Sequence, residues 1–173
     1  IEGDFSDIIA HNLSVTTLLS SDQLTDNDEI SVVVENLLCL PESNCTVGHG
    51  FDVFEIAGIN NDSECNEEGY SDFTNLIANL EPDSTNSLTV TSNYGNQYIK
   101  IWIDFNDDFQ LTTDEVVVDN YHFAAGEGSG NFTETFDLVV PPAVTIGEHL
   151  MRARTSGVGE VSGDSCQEIG FGE

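Results

Sequence analysis

Between Trp102 and Val118 the chain reads WIDFNDDFQLTTDEVVV, and from Asp104 to Glu115 the pattern is D-x-N-x-D-x-Q-x-T-x-x-E. Oxygen-bearing side chains recur at every second position, and a Glu closes the run. Calcium takes about six to eight hard oxygens, several of them carboxylates, and a loop of the EF-hand kind supplies them at this spacing. Asp104, Asn106, Asp108 and Glu115 fall on the first, third, fifth and twelfth positions. The carbonyl of Gln110 falls on the seventh, Thr112 or a water fits the ninth, and Asp114 is a spare carboxylate. An EF-hand proper needs a helix on each side and Gly at the sixth position. Here the sixth residue is Phe109, and the flanks QYIKIWI and EVVVDNYHF read as strands. The expectation is a calcium-binding hairpin loop, with Ca2+ in a structural role. The competing reading is one more acidic turn in a chain full of acids.

Other stretches carry less. GDSCQ at 163–167 has a Ser in a protease-like setting, but Cys166 and Gln167 stand where glycines belong, and no His and Asp precede it in a triad order. SGVGEVSG at 156–163 has no Gly-Lys-Ser/Thr with which to hold phosphate. Arg152 and Arg154 lie two apart on a candidate strand, so they share a face, and nearby carboxylates are expected to neutralise them. No nucleophile–base pair or catalytic metal set can be assembled, so an enzyme is not expected.

The elements that must position the loop follow from composition. The chain has 173 residues, with 3 basic against 32 acidic side chains and a formal net charge of −29. Nucleic acid is excluded as a partner, because neutralising phosphate needs Lys and Arg. No apolar run is long enough for membrane insertion as a helix. Four cysteines, Cys39, Cys45, Cys65 and Cys166, lack zinc spacing and imply two disulfides formed in an oxidising compartment. Three pairings are possible. Cys45–Cys65 with Cys39–Cys166 is favoured, the latter tying an early segment to the last strand. The sequence has no initiator Met and no export signal, so it reads as processed or as a piece of something larger.

Val, Ile, Thr and Phe in short runs broken by Gly, Asn, Asp and Pro give an all-β signature. Strands are predicted at 13–19, 29–35, 51–58, 86–92, 97–104, 115–123, 131–139 and 148–155, with 74–80 a short strand or one helical turn. The fold class is therefore an all-β Greek-key/Ig-like or jelly-roll-like β-sandwich. A boundary is expected near 36–40. Residues 1–38 would be the end of a preceding Ig-like domain or extra edge strands, and 39–173 the main sandwich.

From Cys39 onward, the order of motifs resembles the GEVED domain, a β-sandwich module of secreted multidomain proteins of Bacteroidetes-type bacteria. The resemblance rests on Cys65, on GYSDFT at 69–74, on WIDFNDD at 102–108, on Val140–Pro141, on MRAR at 151–154 and on the run from Cys166 to Glu173. The family usually has Gly after the second loop Asp, where this chain has Phe109. The sequence ends at Gly172-Glu173, inside the motif that names the family, so a final strand is expected beyond it. The resemblance implies an extracellular or cell-surface accessory module beside a larger protein's other domains. The reading is a non-catalytic, calcium-stabilised module acting in adhesion or in binding an extracellular glycan or protein ligand, with Asp72 a weaker additional calcium ligand. The alternative is a structural subunit of an extracellular filament or surface layer, pairing with neighbouring copies of itself by strand exchange.

Overall fold

The computed structural model describes residues 10–16, 29–35, 39–63 and 69–173. The chain divides into two compact units, Ile1–Cys39 and Leu40–Glu173. In the first, β1 (Ala10–Thr16) pairs antiparallel with β2 (Glu29–Glu35), setting Ala10 opposite Glu35. Residues 17–19 of the strand predicted at 13–19 lie outside the described residues, as does Cys65.

The second unit holds two antiparallel sheets. One has the order β4-β3-β5-β8, from β3 (Val53–Ile56), β4 (Ile59–Asp62), β5 (Thr85–Tyr94) and β8 (Ser129–Val139). The other has the order β7-β6-β9, from β6 (Gln97–Ile103), β7 (Val116–Phe123) and β9 (Met151–Ser156). Among the described residues the only helical element is a 3-10 turn at Thr113–Glu115.

Alternation explains the layering, because successive strand side chains point to opposite faces. On β5, Leu88 and Val90 are fully buried. Thr89 and Thr91 between them point outward and pair through their hydroxyls with Thr135 and Thr133 of β8, at 2.9 and 2.8 Å. Phe54, Ile56, Leu88, Val90, Phe136 and Leu138 from the first sheet join Ile99, Ile101, Val118 and Phe123 from the second in one apolar cluster. Tyr121 of β7 stacks on Phe136 of β8 with ring centroids 3.9 Å apart. Two sheets sharing one core between their inner faces is the sandwich arrangement.

The differences from the sequence reading have local causes. The strand predicted at 51–58 stops at Ile56 because Ala57 and Gly58 both take positive φ, 44° and 102°, and make a two-residue hairpin turn. That turn creates β4, whose sequence INND is rich in residues poor in strands and gave no signal. Residues 74–80 form no strand; a single turn at 74–75, closed by the Leu76 N–H on the Phe73 carbonyl at 2.8 Å, is followed by irregular chain.

Strand β6 is buried on both faces. Ile99 and Ile101 face the main core, while Trp102 on the other side packs with Val116, Leu111, Val161 and Ile169 in a second cluster. The cover on that side is the segment after β9. Gly157 donates to the Phe171 carbonyl at 2.8 Å, Ser156 bridges to Gly172, and Ser43 bridges in parallel to Ile169.

Candidate metal centre

The acidic loop joins β6 to β7, neighbouring antiparallel strands, so a hairpin carries it. Asp104 is almost fully buried at the end of β6. Its Oδ1 accepts from the Asp108 N–H at 3.2 Å and its Oδ2 from the Phe109 N–H at 2.9 Å. Asn106 Oδ1 also accepts from the Asp108 N–H, at 2.9 Å, and its amide donates to Asp108 Oδ2 at 3.1 Å. Asp108 Oδ1 in turn accepts from the Gln110 N–H at 2.8 Å. Asn106 and Asp108 thus each turn the backbone two residues on, the local bonding for which Asx residues are favoured in tight turns, while Asp104 reaches the N–H groups four and five residues on. Glu115 closes the far end, its Oε2 accepting from the N–H and hydroxyl of Thr112 at 2.9 and 3.1 Å.

Asp104, Asn106, Asp108 and Gln110 therefore form one connected hydrogen-bonded run, with Glu115 folded over Thr112 at its end. Among the described residues no three His, Cys, Asp or Glu side chains converge as a metal-holding cluster. The oxygens of Asp104 are aimed at backbone donors, and Asn106 and Asp108 are partly spent on each other. Glu115 differs. It is 5% exposed, and its Oε1 has no hydrogen-bond partner among the described residues. Asp72 is engaged elsewhere, since its Oδ1 accepts from the Thr74 N–H at 2.8 Å. That backbone bond holds the Asp72 carboxyl below its ordinary range.

Phe109 occupies the position where the loop pattern calls for Gly, and its φ is 62°. The left-handed conformation is kept although the residue that adopts it freely is absent. Phe109→Gly is expected to stabilise the protein by about 0.5–1 kcal/mol, the relief of the Cβ strain less the added flexibility of the unfolded chain. Urea unfolding checks this, and a midpoint lower than that of the wild type would contradict it.

Sequence reading missed what surrounds the loop. His149 Nδ1 meets Asp107 Oδ1 at 2.9 Å, and its Nε2 meets the Thr145 carbonyl at 2.9 Å. Burial pulls the imidazole pKa down, but the bonds to Asp107 and Thr145 outweigh it and the net shift is upward. A groove of about 370 Å³ opens beside the loop, walled by Phe105, Pro141 and Val144 and edged by Asn106, Asp114 and Glu115. Only a contact between the loop and the segment before β9 could have revealed it, and no local pattern encodes that contact.

The other motifs resolve into structure. The Ser165 carbonyl of GDSCQ accepts from the guanidinium groups of Arg152 and Arg154 at 3.4 and 3.1 Å, and the Gln167 carbonyl also accepts from Arg154. For Arg154, backbone carbonyls thus take the place of the expected carboxylate contacts. Cys39, Cys45 and Cys166 are disulfide-bonded. Glu173 reaches back to accept from the Phe51 N–H at 2.8 Å. Burial pushes its carboxyl pKa up, against the opposing pull of the Phe51 bond.

No curated protein and no solved structure matches the chain. The family resemblance read from Cys39 onward is matched over its second part, with residues 39–97 outside the matched range. Residues 98–173, from Tyr98 in β6 through the acidic loop to Glu173, match the family model of the GEVED domain.

Proposed function

We propose that this chain is a non-catalytic, calcium-stabilised extracellular module of a larger secreted or cell-surface protein, acting in adhesion or ligand binding. The observation that carries the calcium reading is the buried Glu115 with its unpartnered Oε1, at the end of a loop whose other ligand candidates are already drawn together. A buried carboxylate oxygen without a partner is costly, and a divalent cation removes that cost. Asp104, Asn106, Asp108, the Gln110 carbonyl and Glu115 would hold the ion, which would supply the charge that lets five loop carboxylates share one hairpin. Disulfides and the match of residues 98–173 to the GEVED family model support the extracellular placement. The groove against the loop offers a ligand both an apolar wall and a polar edge.

The test is thermal unfolding with excess calcium and with chelator, at constant chloride. Saturating calcium at about 100 times Kd contributes about 2.7 kcal/mol, which is a rise of roughly 5–10 °C in a chain of this size. Glu115→Gln and Asp104→Ala are expected to lose the rise. An equal melting temperature with and without calcium in the wild type would leave the loop an acidic turn and nothing more.

A further inference from the structure

The chain has only three Lys and Arg side chains, and all lie on one face of one sheet. The β6–β9 register sets Lys100 opposite Arg154 and Trp102 opposite Arg152, so these four side chains form a single patch. All are buried, with exposures of 6% for Lys100, 0% for Trp102, 8% for Arg152 and 1% for Arg154. Lys100 is matched by Asp119, its Nζ 2.8 Å from Oδ1, and stands 5.6 Å from the Trp102 ring centre. Arg154 uses Nη1 on the Ser165 and Gln167 carbonyls. Three donors in the patch find no acceptor among the described residues: Arg154 Nε, Arg154 Nη2 and Trp102 Nε1.

Buried polar groups left unpaired are rare, and each calls for an explanation. Here all three are donors, on a face carrying guanidinium charge. A water accepting from them would have its own two protons to place. A halide accepts and donates nothing, and positive charge around it offsets its desolvation. Acids border the patch without meeting these donors. Asp119 is taken by Lys100, Asp164 acts on Arg154 only through its field while its Oδ1 accepts from the Cys166 N–H, and Glu115 precedes the Val116 that pairs with Trp102. The acids and the cover of Val161 and Ile169 disfavour multivalent or bulky anions.

We propose that Arg154 Nε and Nη2 together with Trp102 Nε1 form a buried binding site for a small monovalent anion, chloride in a salt-rich medium. The site uses none of the side chains proposed to hold calcium. It is a structural ion site, set between the β7-β6-β9 sheet and the segment that covers it.

Trp102 is the chain's one Trp, so its fluorescence reports on the site directly. Sodium bromide is titrated against sodium gluconate at constant ionic strength, and melting temperatures are compared in sodium chloride and sodium gluconate. The expected results are saturable quenching by bromide, reversed by chloride, and a higher melting temperature in chloride. Trp102→Phe keeps an aromatic six-membered ring and removes the pyrrole half of the indole with its N–H. The packing it costs in this buried position is common to both salts, and the variant is expected to lose at least half of the chloride-dependent rise. Equal melting temperatures in the two salts with no saturable quenching would mean that water alone meets these donors, and the proposal falls. A full chloride effect retained in Trp102→Phe would place the ion elsewhere and overturn it equally.

Discussion

Arg154→Ala is expected to lower the stability of the sandwich by about 3–5 kcal/mol, the range for cutting a large buried side chain back to Cβ while also losing the hydrogen bonds it made. Arg154 is 1% exposed, and its Nη1 is the donor that the Ser165 and Gln167 carbonyls share. Alanine leaves the Gln167 carbonyl without its side-chain donor and opens a cavity beside Trp102. Burial and the neighbouring Arg152 pull the guanidinium pKa down to about 10, so it still carries its charge at neutral pH. Arg154→Met separates the contributions, since it refills most of the volume with apolar atoms while losing the same hydrogen bonds. Methionine is expected to recover part of the loss, because an apolar replacement also removes the need to desolvate a cation. Urea unfolding of the pair decides. An alanine variant within about 1 kcal/mol of wild type would show that the guanidinium is not what holds the 165–167 turn to the sheet.

Gly172→Ala is expected to be nearly as damaging, for a different reason. Gly172 has φ 155°, and a Cβ built there would sit 2.1 Å from the Thr155 carbonyl oxygen. That oxygen belongs to the backbone of β9 and cannot swing aside. The chain would have to lift, and several bonds would go with it: Gly172 N–H to the Asn44 carbonyl, Thr155 N–H to the Glu173 carbonyl, and Phe51 N–H to Glu173 Oε2. A loss on the order of 3 kcal/mol is expected, in line with backbone strain combined with a broken network. Hydrogen exchange locates the damage. The amides of Thr155, Gly157 and Phe51 should lose protection, while those of Leu88 and Val90 keep it relative to the new global stability. Uniform loss across all five would mean that the terminal segment unfolds only with the whole unit.

Local pattern carried the strands well and the site partly. β2, β6 and β7 were legible almost to the residue because alternation and β-branched runs are local signals, and the hairpin placement of the acidic loop followed from them. The left-handed turn at the loop's sixth position was not legible, since Phe109 stands where the pattern has Gly and yet takes φ 62°. What could not be read depended on the second face of β6. Ile99 and Ile101 announced one buried side, but nothing local told that Lys100 and Trp102 would be buried as well by a segment some sixty residues later. The hairpin at Ala57–Gly58 was hidden for a related reason, because Ala is an unusual residue for a positive φ. The partnership of Arg154 with the carbonyls of Ser165 and Gln167 is tertiary, whereas charge counting alone favoured carboxylates.

The burial of every Lys and Arg makes the folded unit a poor substrate for trypsin. That enzyme must draw a basic residue and its flanking backbone into its cleft, and here the basic residues sit in β6 and β9, with their side chains 8% exposed or less. Cleavage therefore requires the β7-β6-β9 sheet to come apart. The rate of tryptic digestion reports the population of that open form when reclosing is fast. The same arrangement that hides the few cations removes the cut sites of a whole specificity class from the surface of the folded unit.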